Sequence, residues 1–161
     1  MTRIKHFFLR LLAWFLPDRL RLRLMRRQIE DLRHAIEGKL TDKFLEILLG
    51  AMGLAFLLLQ GFRRNLVGFS GRYLFRTADG AVTAGARFAD GWMEILHEQD
   101  NAYDVAVTFN DPAALRKFLF SRDQDILASI LANEVSVDGN LNYIYKFGFM
   151  ARDLVHRLGV A

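Results

Sequence analysis

Residues 135–154 read VSVDGNLNYIYKFGFMARDL. The run Val135-Ser136-Val137 alternates with period two, the mark of a half-buried strand. Asp138-Gly139-Asn140 breaks the run, and Asn140 stands where a helix cap belongs. Ile144, Phe147, Ala151, Leu154 and Leu158 then recur at 3-4 spacing, a stripe that would face a sheet. Gly159 is placed to end this helix. Tyr143, Met150, Tyr145 and Phe149 fall to either side of the stripe, so most of the helix circumference is apolar. One side meets the protein's own core. The flanks pack on another apolar helix, or line or cover a cavity for an apolar ligand.

Working outward, residues 71–77 (GRYLFRT) alternate Tyr73 and Phe75 against Arg72 and Arg76. Asp79-Gly80 follows, then 81–88 (AVTAGARF), then Asp90-Gly91, then 92–98 (WMEILHE). Asp-Gly between alternating runs predicts hairpins with type I′ turns, which need positive φ at both central positions. A fourth strand at 104–109 puts Val105, Val107 and Phe109 on one face. Asn110-Asp111-Pro112 reads as a cap followed by proline at the first helical position. It opens a short helix with Leu115, Phe118 and Leu119. Residues 121–124 resemble a capping box for another short helix with Ile126, Leu127, Ile130 and Leu131. Strands that do not alternate regularly with helices predict an α+β fold. The expectation is a five-stranded, mostly antiparallel sheet with helices on one face. Arg72, Arg76, Arg87, Asp104 and Thr108 would lie on the other.

The front of the chain differs. Net charge is +4, with 22 Lys and Arg against 18 Asp and Glu, but the excess is confined to residues 1–43. Two units are therefore expected, a basic helical arm at 1–43 and a domain at 44–161. In the arm, Phe7, Phe8, Leu11, Leu12, Trp14 and Phe15 form a wide apolar surface among Arg3, Lys5 and Arg10. Pro17 reads as the first residue of a second helix, in which Leu22, Met25, Ile29, Leu32 and Ile36 make one narrow seam. Arg21, Arg23, Arg26, Arg27 and Arg33 fall off it. Aromatic rings among cations are the composition of a helix lying in a membrane interface. Phe7, Phe8, Arg10, Trp14, Phe15, Arg21 and Arg23 are the expected membrane contacts. The competing reading folds the arm onto its own domain, or pairs two copies or a partner enzyme through the seam. Residues 44–62 carry one charge, Glu46, and read as an apolar helix buried in the core rather than spanning a bilayer. Gly50, Gly53 and Gly61 within it are expected to permit close packing.

Chemistry-bearing motifs are scarce. With 52% hydrophobic residues the chain can bury a core, and with no cysteine it has no disulfide or thiolate chemistry. Gly68-Phe69-Ser70-Gly71 starts like a nucleophile elbow, but Arg72 stands where the last glycine belongs and the strand follows the serine. His97-Glu98 lacks a second histidine four residues on. His6, His34, His97 and His156 show no ligand spacing. Asp123 and Asp125 read as first-turn acids facing a helix dipole. No enzyme activity, metal or cofactor is expected. Nucleic acid is not expected either, because the arginines are interleaved with Leu and Phe in helical seams.

The stretches GRYLF (71–75), VTFNDPAALRKFL (107–119) and DILASILANEVSVDGNLNYIYKF (125–147) resemble the sterol carrier protein type 2 family, and the likeness covers about residues 60–158. The resemblance implies an apolar tunnel between sheet and helices that holds a sterol, an acyl chain or a polyprenyl quinone precursor. Phe109, Phe118, Leu119, Tyr143, Phe147 and Met150 would line it. Some bacterial members serve ubiquinone biosynthesis as accessory factors. The implied role is lipid transfer or presentation to membrane enzymes, in the cytoplasm or peripherally at the inner face of the membrane. The alternative is a scaffold for a lipid or ubiquinone biosynthesis complex with no transferred ligand. The basic arm and the 44–62 helix exceed what a minimal carrier needs.

Overall fold

A computed structural model describes residues 15–37, 43–80, 83–89, 91–96, 102–120 and 126–160. The arm residues Phe7, Phe8, Arg10 and Trp14, together with His6, His97, Asp123, Asp125 and the capping box at 121–124, lie outside them. Helix α1 (Asp18–Ile36) starts one residue after Pro17, which holds an extended ψ of 142° just ahead of the first turn. Met25, Leu32 and Ala35 of α1 are buried. Leu32 and Ala35 join one core cluster with Phe44, Leu48 and Met52 of α2 (Phe44–Leu58). The seam of the basic segment is thus used within the chain.

The apolar stretch after residue 43 is not one helix. At Leu59 the backbone turns extended (φ −104°, ψ 103°). The chain resumes as α3 (Gln60–Arg63) and a 3-10 turn (Arg64–Leu66), bent from α2 by 106°. No proline marks the bend; the Phe56 and Phe62 rings close across it at 4.5 Å. Among the described residues no single helix is long and apolar enough to cross a membrane.

The sheet follows: β1 (Gly71–Thr77), β2 (Thr83–Ala89), β3 (Trp92–Leu96), β4 (Val105–Phe109) and β5 (Val135–Gly139). Their spatial order is β3-β2-β1-β4-β5. Three pairings are antiparallel, and β1–β4 is parallel. The register aligns Tyr73 with Ala86 and Val105, and Phe75 with Ala84 and Val107, on the face that carries the helices. Arg72, Arg76, Arg87 and Thr108 share the opposite face, where Arg76 Nε donates to Thr108 Oγ1 at 2.9 Å.

Ala89 pairs with Trp92, so a two-residue turn joins β2 and β3, with Gly91 at φ 70°. The β1–β2 connection departs from the expected type I′ turn. Gly80 has φ 72° but Asp79 does not share a positive φ, and the Gly80 amide donates to Thr77 O at 3.0 Å. Thr77 Oγ1 donates to Asp79 Oδ1, fixing a turn that starts inside the strand end. Asp111 caps α4 (Pro112–Phe120) by accepting from the Ala114 amide at 2.7 Å. Helix α5 (Ile126–Leu131) leads into β5. Asn140 caps α6 (Leu141–Leu158) through the Asn142 amide, and Gly159 closes it in the left-handed region.

Candidate functional site

Among the described residues, aromatic rings cluster between the sheet and α6. Phe147 of α6 sits 4.6 Å from Phe75 and 5.6 Å from Tyr73, centroid to centroid. Phe109 and Phe118 meet edge to face at 5.7 Å. Met150 is fully buried, and Tyr143 is half-buried over β1. The Tyr73 hydroxyl donates to Tyr143 O at 2.8 Å. Burial, then the neighbouring Tyr143 and Asp104, push the Tyr73 hydroxyl pKa far above its ordinary value. Gly71 lets Tyr143 lie this low, since a Cβ there would come within 2.5 Å of the Tyr143 ring. Of the residues expected to line a tunnel, Phe109 and Phe118 form one pair, while Tyr143 and Phe147 share a cluster with Tyr73. The Leu119 side chain is outside the described set.

A groove of about 820 Å³ is bounded by α1, α2 and the β3 edge. Helix α1 contributes Leu20, Leu24 and Gln28, with Arg23, Arg27 and Asp31 on its rim. Helix α2 contributes Gly50, Gly53, Leu54 and Leu57, and β3 contributes Trp92, Met93 and Ile95. Leu20 and Leu24 are each nearly half exposed to this space. The two glycines do not bring helices together, as the sequence led one to expect. A Cβ on Gly53 would meet nothing within 4 Å, and one on Gly50 would reach only Gln28 Oε1 at 3.8 Å. They open the groove floor instead. Gly61 does permit a close approach, because its absent Cβ makes room for the Arg157 guanidinium.

The volume lies in the range of small-molecule pockets, which are apolar with a few polar groups that orient the ligand. Here the polar groups are the exposed Arg23 and Arg27, with Gln28 and Asp31, along successive turns of α1. An apolar wall is chemically suited to an apolar chain, and arginines to an anionic group. Among the described residues no group of three or more His, Asp or Glu side chains is placed to hold a metal ion. Of the expected membrane contacts, Phe15 is 71% exposed, Arg23 stands on the groove rim, and Arg21 lies in α1 with its side chain undescribed.

Sequence reasoning missed the groove, although a signal was present. Leu20 and Leu24 stand at i, i+4 outside the Leu22–Ile36 seam, so α1 has a second apolar stripe. Gly50, Gly53, Leu54 and Leu57 likewise share one face of α2.

No protein-family model matches the chain, and no curated protein matches it. Solved structures do. One described as a UbiJ-SCP2 ubiquinone synthesis protein aligns with a TM-score of 0.52 at 19% identity, over 73% of this chain and 97% of that one. A stereoselective inverting sec-alkylsulfatase from Pseudomonas sp. aligns with a TM-score of 0.45 at 20% identity, over 62% of this chain and 15% of the enzyme. The first likeness establishes the fold: a sterol carrier protein type 2-like domain, preceded by helices.

Proposed function

We propose that this domain, with its sterol carrier protein type 2-like fold, is a non-catalytic lipid-binding accessory protein that holds the chain of an anionic amphiphile in the groove between α1, α2 and β3. The observation that carries this reading is the open apolar volume bordered by Arg23 and Arg27. Binding is by desolvation. Each buried methylene contributes roughly 0.8 kcal/mol, so a long chain needs few polar contacts. The arginines then select a phosphate or carboxylate head by charge-assisted hydrogen bonds. The neighbour described as a ubiquinone synthesis protein makes polyprenyl quinone precursors the first ligand class to try.

The test is native mass spectrometry and organic extraction of the protein purified from its own source, followed by binding to a panel of single-chain anionic lipids. A retained amphiphile, or saturable binding weakened by Arg23→Glu with Arg27→Glu, is the expected result. No retained lipid and no binding across the panel would overturn the carrier in favour of a scaffold that presents partner enzymes to one another.

A further inference from the structure

The outward face of α6 is unlike an ordinary solvated helix face. Tyr145 is 51% and Phe149 52% exposed, one turn apart and opposite the stripe of Ile144, Phe147 and Ala151 that meets the core. Val67, on the turn before β1, is 81% exposed. A single cation joins the two elements. Lys146 Nζ lies 5.6 Å from the centroid of the Phe69 ring and 5.7 Å from that of Phe149. Lys146 thus links the segment that carries Val67 and Phe69 to the outward face of the helix. Arg152 stands exposed three residues beyond Phe149, and Arg64 stands exposed beside Val67. The helix carries one acid, Asp153, and it is occupied. It accepts from Asn65 Nδ2 at 2.7 Å and from Arg157 Nε at 2.8 Å.

We propose that this surface, made by Tyr145, Phe149, Val67 and Lys146, is a docking face for an anionic lipid bilayer. Aromatic rings half out of the protein, with cations beside them, match the headgroup layer, where rings sit at the interface and Lys or Arg meets anionic lipid. Charge decides among occupants. An isologous dimer through this face would bring the cations Lys146 and Arg152 of one copy into the same interface as those of the other, a like-charge juxtaposition. A bilayer rich in anionic lipid complements the same residues. The face is separate from the groove and does not depend on what the groove holds.

The experiment uses the full chain and vesicles of phosphatidylcholine alone or with phosphatidylglycerol. The chain has no cysteine, so Phe149→Cys takes a single polarity-sensitive thiol dye. We expect a blue shift with phosphatidylglycerol vesicles that weakens with salt, and no shift with phosphatidylcholine alone. In co-sedimentation, the double substitution Tyr145→Ala with Phe149→Ala should lower partitioning about tenfold. Lys146→Glu with Arg152→Glu should do so by a similar factor, in a salt-dependent way. All four side chains are partly or fully exposed, so the thermal midpoint should stay within a degree or two of the parent's. The proposal is overturned if the dye does not shift while the protein sediments, because another segment then makes the contact. It is equally overturned if the double alanine variant sediments like the parent, or if it instead dissolves a dimer seen in sedimentation velocity.

Discussion

Tyr73 is the residue on which most of the central layer converges. Its ring touches Phe75, Phe88, Tyr143 and Phe147, and its hydroxyl reaches across to the backbone of α6. Burial, with Tyr143 and Asp104, raises its pKa in the folded state above the ordinary value of about 10. The folded protein therefore holds this proton after the unfolded chain has lost it. The stability it contributes is complete below pH 10 and falls as pH rises beyond that value. Tyr73→Phe should cost about 0.5–1.5 kcal/mol at neutral pH, the worth of one hydrogen bond. It should also flatten the loss of stability above pH 10 relative to the parent, as read by urea unfolding from pH 7 to 11. An unchanged alkaline slope would mean that the hydroxyl reaches water. The core position of Tyr73 was legible from its alternation with Arg72 and Arg76. Its partner on α6 was not, because nothing local in either segment encodes that pairing.

Among the elements, those with local punctuation were legible, and those shaped by tertiary contacts were not. Asn140, Asp111-Pro112 and Gly159 each carry a terminus by their own chemistry: α4 begins at Pro112, and α6 begins after Asn140 and ends before Gly159. Tyr145 and Phe149 were read as flanks that pack on another apolar helix, or line or cover a cavity. The structure turns them outward, since residues two positions from Phe147 fall on the far side of a helix with a 3.6 period. Helix α2 offers the harder case. Apart from Glu46 it is apolar all round, so its sequence gives little to orient it, and the bend at Leu59 has no proline to announce it. Its glycines are now assigned by space rather than by type. Gly53 lies inside the helix with nothing near its missing Cβ. Gly53→Ala should therefore recover helix propensity, up to about 1 kcal/mol. That corresponds to about 2–4 °C in the thermal midpoint for a chain of this size. A fall in midpoint on calorimetry would mean that the helix needs a close approach there.

At the scale of the whole molecule, the five-stranded sheet and its helical layer followed from strand alternation and the order of elements. The central parallel pairing of β1 with β4 joins segments about thirty residues apart and leaves no local mark in the sequence. The site was less legible than the fold. A groove is a property of three elements meeting imperfectly, and α1, α2 and β3 each looked complete alone. The account's central claim is that the ligand occupies this groove rather than the space between sheet and helices, and one comparison tests it. Affinity for a fluorescent anionic acyl probe would be measured for the parent, Gly53→Leu and Tyr143→Trp, with unfolding followed on the same samples. A leucine at position 53 would displace two or three methylenes of ligand from the groove floor, about 2 kcal/mol, or about thirtyfold in Kd. The account predicts that loss without a drop in stability. Tyr143→Trp should lower stability by about 1–3 kcal/mol through overpacking and leave affinity nearly unchanged. The reverse pattern, full affinity in Gly53→Leu and lost affinity in a stable Tyr143→Trp, would contradict it and return the ligand to the interlayer core.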